Sequence, residues 1–334
     1  MIKYNGKSIP KEFETMKPCK IIPYISSTIW GGRRLIEEYG VQTDKENAAE
    51  AWVLSCHPNG CSVISGGEYD GKTLRSVCEA EPSVCGTRAA RFKEFPILIK
   101  FIDARDNLSI QVHPDEAYAR RVENGAGKTE CWYILDCDED AELALGFKKK
   151  IDRETFRRSI QDNTLMDYVQ KVKVHKGDFF FIEAGTLHAI CKGVLLAEVQ
   201  QNSDTTYRVY DYDRRGADGK PRQLHVDKAV DVTDTVPYKP TVPSEEDKVR
   251  FHTAQRELLT CCDLFSVCHV DCADTYAQTS GAESFVSLLV LSGEGTFTCG
   301  DTSFSLRKGE SVFVPSGAGA FTVDGKIELL ETRI

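Results

Sequence analysis

Apolar and polar residues alternate with a period of two along most of this chain, and only a few stretches repeat every three to four positions. That pattern predicts a mainly β protein with short helices. Strands are expected at 17–28, 49–55, 95–102, 109–113, 130–135, 143–147, 171–174 and 179–182, where apolar runs end in polar or turn-forming residues. Helical spacing is confined to short pieces at 74–80, 89–93, 115–123 and 226–232. A longer helical insert is expected at about 147–170, with Ile151, Phe156, Ile160, Leu165, Met166 and Val169 as its apolar positions. From about Arg250 onward the pattern reads as short strands separated by glycine turns.

Two features divide the chain. The segment 237–247 holds three prolines followed by an acidic run, and reads as a linker. A weak internal repeat aligns 176–188 with 308–320 without gaps: Lys-Gly-acid, an apolar strand, then a glycine turn. His188 in the first copy is replaced by Ala320 in the second. Duplicated jelly-roll β-barrels are the expectation, with only the first keeping a metal ligand. We therefore expect a catalytic domain at 1–240, a linker at 241–254 and a metal-free domain at 255–334.

The chain has 334 residues, long enough for two cores, and its 41% hydrophobic and 28% charged content is ordinary for a globular protein. The formal charge of −9 argues against a nucleic-acid or anionic-membrane surface, while leaving room for a local basic pocket. Thirteen cysteines without paired spacing, behind an N-terminus lacking an apolar signal core, indicate free thiols in a reducing cytoplasm.

Candidate chemistry concentrates in four places. Alternation in Ser109-Ile110-Gln111-Val112-His113-Pro114 puts Ser109, Gln111 and His113 on one face. Gly127-Lys128-Thr129-Glu130, the segment 179–188 ending in His188, and the segment 198–208 from Glu198 to Arg208 follow. Two imidazoles, a carboxylate and an amide oxygen suit one catalytic Zn²⁺ per chain that keeps a position open. A single His is more often a hydrogen-bonded structural residue, so it is the set that carries the expectation; His57, His175, His225, His252 and His269 are read as structural. Glu198, flanked by Leu195, Leu196, Ala197 and Val199, is costly to bury unless it faces a polar cavity or a cation. Trp30 before Gly31-Gly32 reads either as a wall for a sugar ring or as a Trp packed at a turn.

With these residues assembled, the chain resembles the type I phosphomannose isomerases of the cupin superfamily, in their short bacterial form. The resemblance runs in order through Trp30-Gly31-Gly32, Glu50-Ala51-Trp52, 95–104, Gln111-Val112-His113-Pro114, Gly127-Lys128-Thr129-Glu130, 184–190 and 201–211, about the first 230 residues. It implies tandem cupin barrels and zinc-dependent interconversion of mannose 6-phosphate and fructose 6-phosphate through a cis-enediolate. It further implies Gln111, His113, Glu130 and His188 as zinc ligands, Arg208, Lys128 and Glu198 as catalytic groups, and Trp30, Ser109 and Lys128 as substrate contacts. Val53 departs from the pattern, which has an acidic residue after the Trp. The alternatives are a cupin oxygenase using Fe²⁺ with the same two His and Glu, and a sugar-phosphate-binding cupin without turnover.

Overall fold

A computed structural model describes residues 16–215, 219–240 and 244–334, together with the backbone of a two-stranded hairpin at Lys3–Tyr4 and Lys7–Ser8. Residues 216–218 of the polar loop and 241–243 of the expected linker lie outside these. With 44% strand and 15% helix the chain is mainly β.

Three antiparallel sheets form the frame. A six-stranded sheet runs Phe179–Ile182, Glu130–Cys137, Val194–Gln201, Ile97–Ala104, Glu50–Leu54, Tyr24–Ser26, and a five-stranded sheet runs Val169–Lys173, Glu142–Phe147, His188–Ile190, Ile110–Val112, Tyr207–Tyr210. The third, ten-stranded, is built mostly from the chain beyond Lys248. Its main path is Lys248–Arg250, Ala254–Cys261, Ser266–Cys272, Gly319–Arg333, Val286–Cys299, Ser311–Val314, Cys19–Ile22, Val63–Ser65, with Thr275–Ser280 added on Gly319–Arg333 and Thr302–Arg307 on Val286–Cys299. The last two strands of that path come from the start of the chain, so the first and last quarters of the sequence share one sheet.

Alternation explains how the layers stack. In the six-stranded sheet Cys131, Tyr133, Leu135, Leu195, Ala197, Val199, Ile99 and Phe101 form one core with Leu259, Val267, Leu289 and Leu330 of the ten-stranded sheet. The intervening residues Trp132, Ile134, Leu196 and Ile102 face the other way and pack on Leu143, Leu145 and Ile190 of the five-stranded sheet. Both faces are covered, so these strands read as near-continuous apolar runs. Beyond the five-stranded sheet, Ile110, Val112 and Ala189 pack with Phe156 and Ile160 of the helix Arg153–Gln161. Each fully buried Leu, Ile or Phe contributes about 1.5–3 kcal/mol over its exposed state.

The sequence pattern misplaces some boundaries. The insert expected at about 147–170 is one helix, Arg153–Gln161, and a single 3₁₀ turn at Leu165–Asp167; Phe147 and Val169 pair with each other in strands at its two ends. The piece at 89–93 is a 3₁₀ helix at Thr87–Arg91. The strand at 95–102 starts and ends two residues later, at Ile97–Ala104. The C-terminal strands are not all short, since Val286–Cys299 spans 14 residues and Gly319–Arg333 spans 15. Gly293 and Gly325 lie inside these strands, where close backbone approach and positive φ demand glycine without ending the strand. The two repeat copies do share local structure: Gly177 and Gly309 have φ of 89° and 88°, Gly185 and Gly317 of 92° and 76°.

Candidate metal and substrate site

Between the five- and six-stranded sheets, two rows of polar side chains face each other. Across the six-stranded sheet, register places Trp132 opposite Glu198, Glu198 opposite Lys100, and Lys100 opposite Trp52. Across the five-stranded sheet, Gln111 stands opposite His188 on one side and Arg208 on the other. Glu130 lies two residues before Trp132 on the same face. His113 follows directly after the strand Ile110–Val112, and Pro114 and the helix-capping Asp115, which accepts from Tyr118 N–H, turn the chain away.

His113, Glu130 and His188 converge, with ligand atoms all within 4.8 Å of one another. His113 Nε2 is 3.6 Å from Glu130 Oε2 and His188 Nε2 is 3.4 Å from Glu130 Oε1, and all three side chains are about 1% exposed. Each imidazole donates its other N–H to a backbone carbonyl: His113 Nδ1 to Thr205 at 2.8 Å and His188 Nδ1 to Thr186 at 2.9 Å. Those bonds fix the tautomer and leave each Nε2 as an acceptor, with Lys128 Nζ 3.1 Å from that of His113 and the Gln111 amide nitrogen 3.3 Å from that of His188. Burial, helped by the charge of Lys128, holds His113 well below its ordinary pKa and takes His188 down to about 4, so both are neutral, as a metal ligand must be. Neither oxygen of Glu130 accepts a hydrogen bond of regular geometry, although Lys128 Nζ stands 2.7 Å from Oε2. A buried carboxylate whose Oε1 has no hydrogen-bond partner, beside two imidazole nitrogens, is a donor set that fits a divalent cation.

Around this set the charges balance. Lys128 and Lys100 are each 5% exposed, Glu198 is 3% exposed and Glu130 fully buried. Lys100 Nζ lies 3.2 Å from Glu198 Oε1 and 3.7 Å from Glu50 Oε1; Lys128 Nζ is 3.1 Å from His113 Nε2 and 4.0 Å from Glu198 Oε1. Burial favours protonation of Glu198, but Lys100 and Lys128 outweigh it and hold the carboxylate ionised. Burial beside that charge pushes Glu130 upward. Lys100 moves upward too, its carboxylate neighbours outweighing its burial.

A cavity of about 220 Å³ opens onto these groups, lined among others by Trp30, Ser109, Gln111, Lys128, Glu198 and Arg208. Every residue expected from the sequence therefore either lines this cavity or belongs to the His-Glu-His cluster beside it. A larger cavity of about 510 Å³, near Asn202, has only exposed charges at Arg75, Glu79, Lys93 and Glu94, and gathers no comparable chemistry. Trp30 is 6% exposed, packed in the core between the sheets and also on the cavity wall. Gly31 and Gly32 make room for Ala49 and Asp103 of the protein itself. Arg208 makes no ion pair with Asp204 or Asp211; it donates from Nε to Ser109 Oγ at 3.3 Å and from Nη1 to the Gln223 carbonyl at 3.1 Å. Val53 sits 1% exposed in the apolar core on the opposite face, where an acidic residue would be buried without a partner.

Several groups of the site were not legible as such in the sequence. Lys100, Glu50, Trp52, Asp204 and Arg222 line the cavity, and Trp132 donates its indole N–H to Glu198 Oε2 at 2.9 Å. Arg222 is held by Asp211 at 2.7 Å, and its charge, after burial, helps lower the pKa of Arg208. Charged or indole residues on otherwise apolar strands were the available signal. Between Glu198 and Arg208, which line the cavity, the chain braces the site: Gln201 Oε1 accepts from Thr129 N–H at 2.9 Å, and Thr205 supplies the carbonyl under His113. Gly127 lets the brace close, since a Cβ there would lie 2.4 Å from Glu116 N.

Comparison with known proteins bears on the same residues. A family model for the phosphomannose isomerase type I catalytic domain matches residues 19–155, and one for the mannose-6-phosphate isomerase cupin domain matches 254–334. Mannose-6-phosphate isomerase ManA of Bacillus subtilis is 37% identical over 96% of this chain and 100% of its own length. Mannose-6-phosphate isomerase of Streptococcus mutans is 36% identical, covering 91% of this chain and 94% of its own. The crystal structure of mannose 6-phosphate isomerase from Bacillus subtilis superposes with a TM-score of 0.89 at 35% identity, over 96% of this chain and all of that one.

Proposed function

The chain belongs to the type I phosphomannose isomerases, and from that premise we propose that it interconverts mannose 6-phosphate and fructose 6-phosphate through a cis-enediolate, using one Zn²⁺. The observation that carries this reading is the pairing of a buried His113-Glu130-His188 donor set with a buried carboxylate on the adjoining cavity wall, Glu198, whose Oε1 accepts no regular hydrogen bond. His113, Glu130 and His188 would hold the ion, and a half-turn of the Gln111 amide, whose Nε2 now lies 3.3 Å from His188 Nε2, would add its oxygen as a fourth donor. Bound there, zinc supplies positive charge for the oxygen that becomes an oxyanion as the C–H bond breaks.

The protein's own groups divide the remaining work. Glu198, kept ionised by Lys100 and Lys128, takes the proton from one carbon and returns it to the next. Lys128, with Nζ 4.0 Å from Glu198 Oε1, donates to a substrate oxygen beside the site of proton transfer. Arg208 and Arg222, at the Ser109 side of the cavity, supply two guanidinium groups for the phosphate, Asp211 fixing one of them. Trp30 closes one wall against the sugar.

We also read the chain as two tandem cupin barrels: a catalytic one over 1–240, a linker at 241–254 and a metal-free one over 255–334. The shared glycine conformations of the repeat and the cupin-domain match at 254–334 support this division, with Cys19–Ile22 and Val63–Ser65 lent to the second unit's sheet. A cytoplasmic location agrees with thirteen free thiols; among the described residues no helix is long and apolar enough to cross a membrane.

A coupled isomerase assay before chelation, after it and after zinc is restored tests the activity. It should be present, lost and regained; persistence through complete chelation would remove the metal from the reaction. Mannose 6-phosphate deuterated at C2 should lose at least part of its label to water during turnover, and fructose 6-phosphate should gain deuterium at C1 in D₂O. Full retention in the first experiment with no uptake in the second would indicate hydride transfer instead.

A further inference from the structure

Trp132 touches both halves of the site at once. It is 1% exposed on the inner face of Glu130–Cys137, opposite Glu198 on one neighbouring strand and Phe180 on the other. Its indole N–H donates to Glu198 Oε2 at 2.9 Å. Its ring meets that of His188 edge to face, centroids 5.4 Å apart and planes at 77°.

We propose that Trp132 is a positioning residue, a single rigid ring that sets the carboxylate plane of Glu198 and the tilt of the His188 imidazole relative to each other. A glutamate side chain is flexible, and holding it in one rotamer costs conformational entropy. The indole bond holds Oε2 back against the sheet, which leaves Oε1 as the oxygen near Lys128 and the cavity. His188 is fixed at two points, by Thr186 at Nδ1 and by the indole at its face, with Nε2 toward Glu130.

The same device occurs a second time in this row. Trp52 Nε1 donates to Glu50 Oε2 at 2.8 Å while Glu50 Oε1 faces Lys100 at 3.7 Å. Lys100 thus stands between two carboxylates, each with one oxygen pinned by an indole and the other turned to the ammonium. Any buried indole N–H needs an acceptor; here each acceptor is a carboxylate whose second oxygen faces Lys100, while the ring's contacts with apolar neighbours would survive as Phe.

The inference rests on the proposed roles of Glu198 and His188, and Trp132→Phe separates it from simple core packing. That variant keeps an aromatic ring and removes the donor. We expect kcat to fall by about 10- to 100-fold, the range associated with a misplaced catalytic group, with KM changed by less than about 3-fold. In a Glu198→Gln background the same substitution should cost less than about 3-fold, because the carboxylate it orients is gone. An equal loss in both backgrounds, or no loss in the first, would overturn the role at Glu198. A second arm needs no turnover. Zinc titrated alone into the metal-free protein should change tryptophan emission, the change should vanish in Trp132→Phe and persist in Trp52→Phe, and zinc affinity should drop by about 10-fold in Trp132→Phe. A zinc-dependent emission change that survives in Trp132→Phe, or unaltered zinc affinity, would overturn the contact with His188. Inactivity of the unaltered protein toward mannose 6-phosphate would sink the activity reading alone, and the zinc titration would still decide for or against Trp132.

Discussion

At the scale of single residues, the site is a problem of buried charge solved by pairing. Two ammonium groups, of Lys100 and Lys128, and the carboxylates of Glu50, Glu130 and Glu198 share a few ångströms between the sheets, and removing one member leaves its partner uncompensated. The two imidazoles differ, being neutral and already anchored through Nδ1, so a histidine can be removed without stranding a charge. His188→Ala should therefore stay folded, since the backbone of His188–Ile190 keeps its pairing with Gln111 and Leu145. Zinc binding should weaken by more than about 100-fold, beyond the 10- to 100-fold typical of groups that only support a ligand. Metal content by elemental analysis alongside circular dichroism tests this; full zinc occupancy in the variant would remove His188 from the ligand set.

At the scale of elements, strands sort residues by parity, and glycines decide where long strands bend. Gly293 lies within Val286–Cys299 one residue past the register shift between Val290 and Ser292, with φ of 76° and the Lys326 carbonyl oxygen 2.1 Å from where a Cβ would stand. No side chain fits there without moving the neighbouring strand. Gly293→Ala should destabilise the protein by at least about 1–3 kcal/mol through backbone strain, seen as a lower Tm. An unchanged Tm would show that the two long strands adjust freely.

The whole molecule depends on the six-stranded sheet being covered on both faces. Truncation after Pro243 removes most of the ten-stranded sheet and bares Tyr133, Leu135, Leu195, Val199 and Phe101, while Cys19–Ile22 loses its partner strand Ser311–Val314. The shortened chain should aggregate on size-exclusion chromatography; a monodisperse, fully active fragment would show that the second unit is dispensable. A polar contact crosses the same junction: Glu328, which accepts from His269 at 2.7 Å and Ser292 at 2.9 Å within its own sheet, also accepts from Tyr133 of the six-stranded sheet at 3.3 Å. The hydrogen bond from His269 is foremost in taking Glu328 from 4.5 down to about 2. A depressed carboxylate contributes stability that is fully present above its unfolded pKa and lost as pH falls through the folded one. The Tm advantage of the unaltered protein over Glu328→Gln should therefore be present at pH 6 and shrink steadily from about pH 5 toward pH 2. A pH-independent difference in thermal melts would mean that the side chain acts by shape alone.

The sequence by itself determined the mainly β class and nearly all the strands that build the site, because period-two alternation is a local signal, and its ordered motifs, through the family resemblance they carry, pointed to His113, Glu130, His188, Gln111, Lys128, Glu198 and Arg208. It was also enough for the internal repeat, whose glycines occupy matching conformations. It did not carry the contributions of Lys100, Trp132 and Arg222: a Lys or Trp on an apolar strand looks like an ordinary buried residue until register sets it opposite Glu198. Nor did it reveal that Cys19–Ile22 and Val63–Ser65 join the C-terminal sheet, or that Gly293 bends a strand it looked set to end. Pairing between strands far apart in sequence is fixed by long-range packing and closure of the sheets. That is why the residues of the site were legible one by one, while their two facing rows exist only in the folded molecule.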